Sequence, residues 1–355
     1  MQKNLDFQII NQIRGGFCVY IIFHNVTVNL YHLDIVPFPV KAIASLGQEV
    51  VVGFFLMSGF LIFFSLERKY FSFQEFLLKR FKRIYIPFLI SLLVSLVIGY
   101  FTGSLSKLFT WKDLIGNLLL LQDFGSVKPG TWFYPFLGNL PLWSLSYQWW
   151  FYLLVYPLYR CLPKNQNRIY LVLIFSSIAY FIYVISPNQI CLILSYFLLE
   201  WLGIELGAIY AMERRLTRQN TQHCLIAILG MVVFTGVPIF WISEIQLGYY
   251  PFLIWRHFSI ALFLLCFSIF AFMVNWNNWV KNMLTPFNKI YPISYALYVL
   301  HYPILVQWGL RNFDAMERIP WEDLGLSLLI LLGLSYLVEI QIPKLIKQFF
   351  PLKLI

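Results

Sequence analysis

The sequence predicts an all-α protein, a polytopic transmembrane helical bundle of about ten helices with both termini in the cytoplasm. Three observations lead there. Of 355 residues, 60% are hydrophobic and only 12% are charged, where a soluble domain carries about 25%. The mean hydropathy is +0.71. Apolar runs of spanning length also recur along the whole chain, so the bundle is itself the domain, a single one over residues 1–355.

A helix needs about 20 mostly apolar residues to cross the hydrocarbon layer. Such stretches lie near 8–30, 46–66, 84–102, 140–159, 169–186, 190–211, 222–242, 252–274, 288–310 and 323–345. The first has no small-residue cleavage site after it and reads as a retained helix rather than a signal peptide. The apolar stretch 112–125 is short and reads as interfacial or re-entrant, with an eleventh span as the alternative. Eighteen Lys and Arg residues fall in one set of connecting segments. Six fall in the other: Lys41, Lys107, Lys112, Lys128, Arg311 and Arg318. The positive-inside rule puts the richer set, and with it both termini, in the cytoplasm. This bias also explains the net charge of +10 without nucleic acid, for which no binding motif is present. The five cysteines are scattered, with no CxxC and no Cys/His cluster, so neither a disulfide framework nor a metal site is expected.

Ionisable groups inside a bilayer are costly and by default suggest function. Arg14 and His24 lie ten residues apart in the first span, roughly 15 Å along the axis at 1.5 Å per residue, and can share one broad face. The structural alternative is an Arg14 that snorkels to the interface and a His24 that ties two helices. His301 falls at a depth close to that of His24, and two such histidines could face one cavity or simply pack. A neutral imidazole is a general base near neutral pH. Arg80 and Arg83 share a helix face at the cytoplasmic edge and suit phosphates, although basic clusters there also serve topology and lipid headgroups. Ser58 lies beside Gly59 in a close-packing motif, and Ser144 and Gln148 open another polar island. Glu200, Glu205 and Glu339 are single carboxylates in or near spans.

In order, these islands resemble the membrane acyltransferase-3 family. Arg14 to His24 is similar to its Arg–ten residues–His signature. Phe54-Phe55-Leu56-Met57-Ser58-Gly59-Phe60-Leu61-Ile62 resembles its FF-x-x-SGFLI segment, and Arg80 to Pro87 its basic Arg-Ile-Tyr-Pro segment. Pro141 to Ser146 resembles P-L-W-S-L-S, with Phe151-Tyr152-Leu153 the FYL that follows. Ile293 to Pro303 resembles ISYxLYxxH-x-P, and Ser335 to Glu339 the closing S-Y-x-x-x-E. Two departures stand out: Gln148 occupies a position where the family usually has glutamate, and Val51-Val52-Gly53 lacks the acidic residue often found just before the FF pair.

The resemblance implies an O-acyltransferase, with an O-acetyltransferase as its most common form. Acetyl-CoA or another acyl-CoA would be the cytoplasmic donor, and no metal is involved. A hydroxyl of a cell-surface or lipid-linked glycan would be the acceptor. It implies that His24 acts as base or acyl relay and that Arg14 lies on the donor path. Arg80 and Arg83 would hold the donor's phosphates, while Ser58, Ser144, Gln148 and His301 line the cavity. It implies a multi-pass protein of a bacterial inner or plasma membrane, surrounded by lipid, and is compatible with a homo-oligomer. The competing readings are a sugar or glycan transporter or flippase of the same fold, which the Gln148 change favours, and a membrane scaffold.

Overall fold

The computed structural model describes residues 2–30, 36–68, 72–163, 165, 167–241, 246, 248–273, 282–311 and 321–349. It is 82% helix, with no strand among the described residues, which establishes the all-α class. Helices run through all ten expected stretches. They are α1 (Gln2–Val28), α3 (Gly47–Arg68), α4 (Phe73–Phe101), α7 (Trp143–Cys161), α8 (Arg168–Ile185), α10 (Phe197–Glu213), α11 (Gln222–Gly236), α12 (Phe252–Met273), α13 (Ser294–His301) and α14 (Trp321–Tyr336). The short helices α2 (Phe38–Ala44), α5 (Leu105–Leu108), α6 (Trp111–Leu118) and α9 (Gln189–Ser195) join them.

Seven helical stretches are long and apolar enough to cross a membrane, so the chain is a multi-pass membrane protein. The seven do not include α1, α7 or α13. The first two are long, but α1 carries Gln12, Arg14, His24 and Asn25, and α7 carries Ser144, Ser146 and Gln148 among its rings. The eight residues of α13 end at His301, where Pro303 lacks the N–H a regular turn needs. The chain continues from Tyr302 to Trp308 as a wider π-type turn. These three helices carry five of the eight residues expected to form the site: Arg14, His24, Ser144, Gln148 and His301. The 112–125 stretch is no eleventh span, because α6 has only eight residues. Lys69, Lys164, Lys281, Arg318 and Lys353 of the charge count lie outside the described residues.

Helix α4 begins eleven residues before the expected 84, and the cause is local. Ser72 Oγ accepts the Glu75 N–H while the Ser72 N–H donates to the Glu75 carboxylate at 2.9 Å, a reciprocal cap that starts the helix. Arg80 and Arg83 therefore stand on an ordered helix rather than at its frayed edge.

The core is one large apolar cluster in which aromatic rings meet edge to face, as in Phe55 with Trp143 and Phe151. Helices α3 and α10 cross without space for a side chain between them. A Cβ on Gly59 would lie 2.0 Å from the Glu200 carbonyl oxygen, and one on Gly203 would lie 2.1 Å from that of Leu56. Small residues at such crossings let helix backbones touch.

Candidate functional site

Helix α3, backed by α10, forms one side of a cavity of about 120 Å³. Residues four apart on a helix project from one face, and α7 shows the consequence. Ser144, Gln148 and Tyr152 all line the cavity. Arg14 reaches it from α1, Ser58 from α3, Arg80 and Arg83 from α4, and Ser294 and Tyr298 from α13. Thus six of the residues expected to form the site line one cavity: Arg14, Ser58, Arg80, Arg83, Ser144 and Gln148.

Three guanidinium groups here share a small space, and none is in an ion pair among the described residues. The Arg80 guanidinium carbon lies 5.3 Å from the ring centroids of both Phe76 and Tyr152, close enough for cation–π attraction. Arg14 and Arg83 are near enough for their charges to interact with each other and with Glu339. Glu339 accepts the Ala296 backbone N–H at 3.1 Å, which puts a carboxylate at the first turn of α13, where the helix dipole favours it.

Deeper in, Gln148 Nε2 donates to Ser58 Oγ at 3.0 Å and lies 3.3 Å from each carboxylate oxygen of Glu200. Glu200 is fully buried. The carboxylate missing from position 148 is therefore present one contact away, supplied by another helix. Ser58 also meets the Tyr152 hydroxyl at 3.3 Å. The Tyr298 hydroxyl donates to the Pro141 carbonyl at 2.7 Å, so Ser144 is the donor in its own 2.7 Å bond to Tyr298. Glu205, by contrast, is taken up in a two-pronged bond with Arg168 at 2.5 and 3.1 Å.

The two histidines are not on the cavity wall, contrary to the expectation for His301. The His301 Nδ1–H donates to the Tyr298 carbonyl at 2.7 Å, one turn back, which leaves Nε2 to accept from Asn25 Nδ2 at 3.1 Å. His24 bonds the Ala44 carbonyl through Nδ1, and its ring lies against Gly47. The two lie close together: Asn25, the neighbour of His24, touches His301. They form a layer beyond Tyr298, whose ring lines the cavity and sits 6.0 Å from that of His301. Sequence reasoning missed Tyr298, although its place one turn before His301 was a usable signal.

A second polar cluster escaped it entirely. Asp123 and Lys128 form an ion pair at 2.6 Å with side chains 0% and 1% exposed. The Tyr147 hydroxyl donates to Asp123 at 2.6 Å, and the Lys128 ammonium lies 3.9 Å from the Trp143 ring centroid. Nearby, His257 on α12 stacks on Trp143 and bonds the Tyr196 hydroxyl at 2.6 Å.

No group of three or more His, Cys, Asp or Glu side chains among the described residues is arranged to hold a metal ion. The model of the acyltransferase-3 domain family matches residues 7–340, nearly the whole chain, and the protein belongs to that family of acyltransferases. No curated protein and no solved structure matches it.

Proposed function

We propose that the protein is a membrane-embedded O-acyltransferase, in the first instance an O-acetyltransferase. On this reading it moves an acyl group from cytoplasmic acetyl-CoA or another acyl-CoA to a hydroxyl of a cell-surface or lipid-linked glycan. Its home is the bacterial inner or plasma membrane, with about ten spans and both termini in the cytoplasm. The observation that carries the proposal is the set of three guanidinium groups, Arg14, Arg80 and Arg83, on the wall of one narrow cavity inside an apolar bundle. Guanidinium forks are suited to phosphate oxygens, and keeping three cations with no ion pair among the described residues at such a place is costly unless an anion visits. On this reading the donor's phosphates rest on Arg14, Arg80 and Arg83, its thin acyl-bearing arm runs further into the bundle, and its nucleoside stays outside.

In the reaction the acceptor hydroxyl oxygen forms an ester bond to the acyl carbon as the thioester C–S bond breaks. His24 takes the hydroxyl proton and returns it to the departing thiolate. His301, held by Tyr298 and Asn25, orients the layer in which His24 works. The acyl group has to pass the Tyr298 ring to reach that layer.

The transporter reading drew on Gln148. A carboxylate 3.3 Å from that amide removes the shortage of charge that favoured it. Membrane vesicles with radiolabelled acetyl-CoA and a glycan acceptor decide the matter. Wild type is expected to transfer label, and a folded, equally abundant His24→Ala variant to transfer none. Glycan movement across the membrane with no acetyl-CoA consumed would establish the transporter instead.

A further inference from the structure

Glu200 is a buried carboxylate to which the acyl-transfer reading gives no task. Its backbone is packed tightly on α3: its own carbonyl oxygen fills the space a side chain on Gly59 would take. Its two oxygens stand at equal distance from Gln148 Nε2, while Ser58 Oγ takes the other amide proton. A carboxylate that only accepts orients the NH2 end of the amide towards itself. An amide carries its oxygen on the side away from its NH2, so Oε1 of Gln148, a residue of the cavity wall, is left as an acceptor. Glu200 is also close enough to Arg80 for their charges to interact, and it thereby offsets part of the repulsion among three neighbouring cations.

We propose that Glu200 is a positioning residue of the donor cavity. It fixes the Gln148 amide so that an oxygen, and not an NH2 group, meets the bound donor. The ligand group recognised there is an N–H donor, which the amide-containing arm of an acyl thioester supplies. This inference rests on the acyl-CoA reading above. It differs from it in claiming that the α7–α10 pair acts as one unit, whichever of the two helices carries the charge.

That claim sets the experiment: acetyl-CoA-dependent transfer by wild type, Glu200→Gln, Gln148→Glu and the double swap Gln148→Glu/Glu200→Gln, with melting temperatures recorded for all four. Glu200→Gln lets the amide at 148 turn over, and is expected to raise KM for acetyl-CoA about tenfold, with a smaller change in kcat. Gln148→Glu sets two carboxylates side by side and is expected to lose most activity. The double swap rebuilds an amide–carboxylate pair that still presents an oxygen at 148. It should recover to within about threefold of wild type, a coupling far outside the additivity of independent sites. Should either single variant fail to fold, Glu200→Asp, which keeps the charge, is expected to stay within about threefold of wild type. Wild-type kinetics in Glu200→Gln, or a folded double swap no better than the worse single variant, would overturn the role of Glu200 and leave the acyltransferase reading intact. A wild type that consumes no acyl-CoA overturns both.

Discussion

Helix α7 serves two polar regions with its two faces, and they are built on opposite terms. Ser144, Gln148 and Tyr152 face a cavity that three arginines share with no ion pair among the described residues. Trp143 and Tyr147, one position earlier in each turn, face a sealed cluster in which Lys128 has a carboxylate at 2.6 Å and an aromatic ring at 3.9 Å. In the sealed cluster charge is neutralised within the protein and serves the fold. In the cavity positive charge remains in excess and is available to a ligand. Burial alone does not separate the two cases, whereas the presence or absence of a close opposite charge does.

The strongest way to break this comparison is to cut the sealed pair. Asp123→Asn or Lys128→Met leaves one buried charge alone, at a cost of about 3–5 kcal/mol. Thermal unfolding in detergent is expected to show a steep loss, and replacing both residues with apolar side chains together should recover most of it. Equal stability in all forms would mean that the cluster is not structural. On the other face, Arg80→Ala is expected to leave the melting temperature nearly unchanged while KM for acetyl-CoA rises about tenfold, the scale of one charge-assisted hydrogen bond. A melting loss as large as that of Lys128→Met would erase the distinction. The smallest effect tests the boundary. Tyr298→Phe removes the hydroxyl that Ser144 donates to and that holds the Pro141 carbonyl, for about 1 kcal/mol of stability, read from the same melts.

Features set by local spacing were the ones legible in the sequence. Arg80 and Arg83 three apart, and Ser144 and Gln148 four apart, identify shared helix faces before any coordinates. Seven of the ten expected spans followed from apolar length, although the start of α4 was set by the Ser72–Glu75 cap rather than by hydropathy. Pairings between distant helices were not legible. Gln148 and Glu200 are 52 residues apart, and nothing near either announces the other. Asp123 and Lys128 lie in an irregular segment with no periodic pattern to give their direction. The histidine layer was half legible: counting residues gave the depth of His24 and His301, but not that Tyr298 stands between them and the cavity.

The contact of α3 with α10 has a consequence for what the cavity can accommodate. Where a helix backbone lies against a carbonyl with no room for a methyl group, that side cannot yield to a larger guest. Ile84 on α4 and Leu145 on α7, which also line the cavity, are apolar side chains that a single substitution can lengthen or trim. The cavity is therefore built as a gauge, with one fixed jaw and one adjustable jaw. Changes in the length of acyl chain accepted should arise by substitution at Ile84 or Leu145, while Gly59 and Gly203 stay as they are.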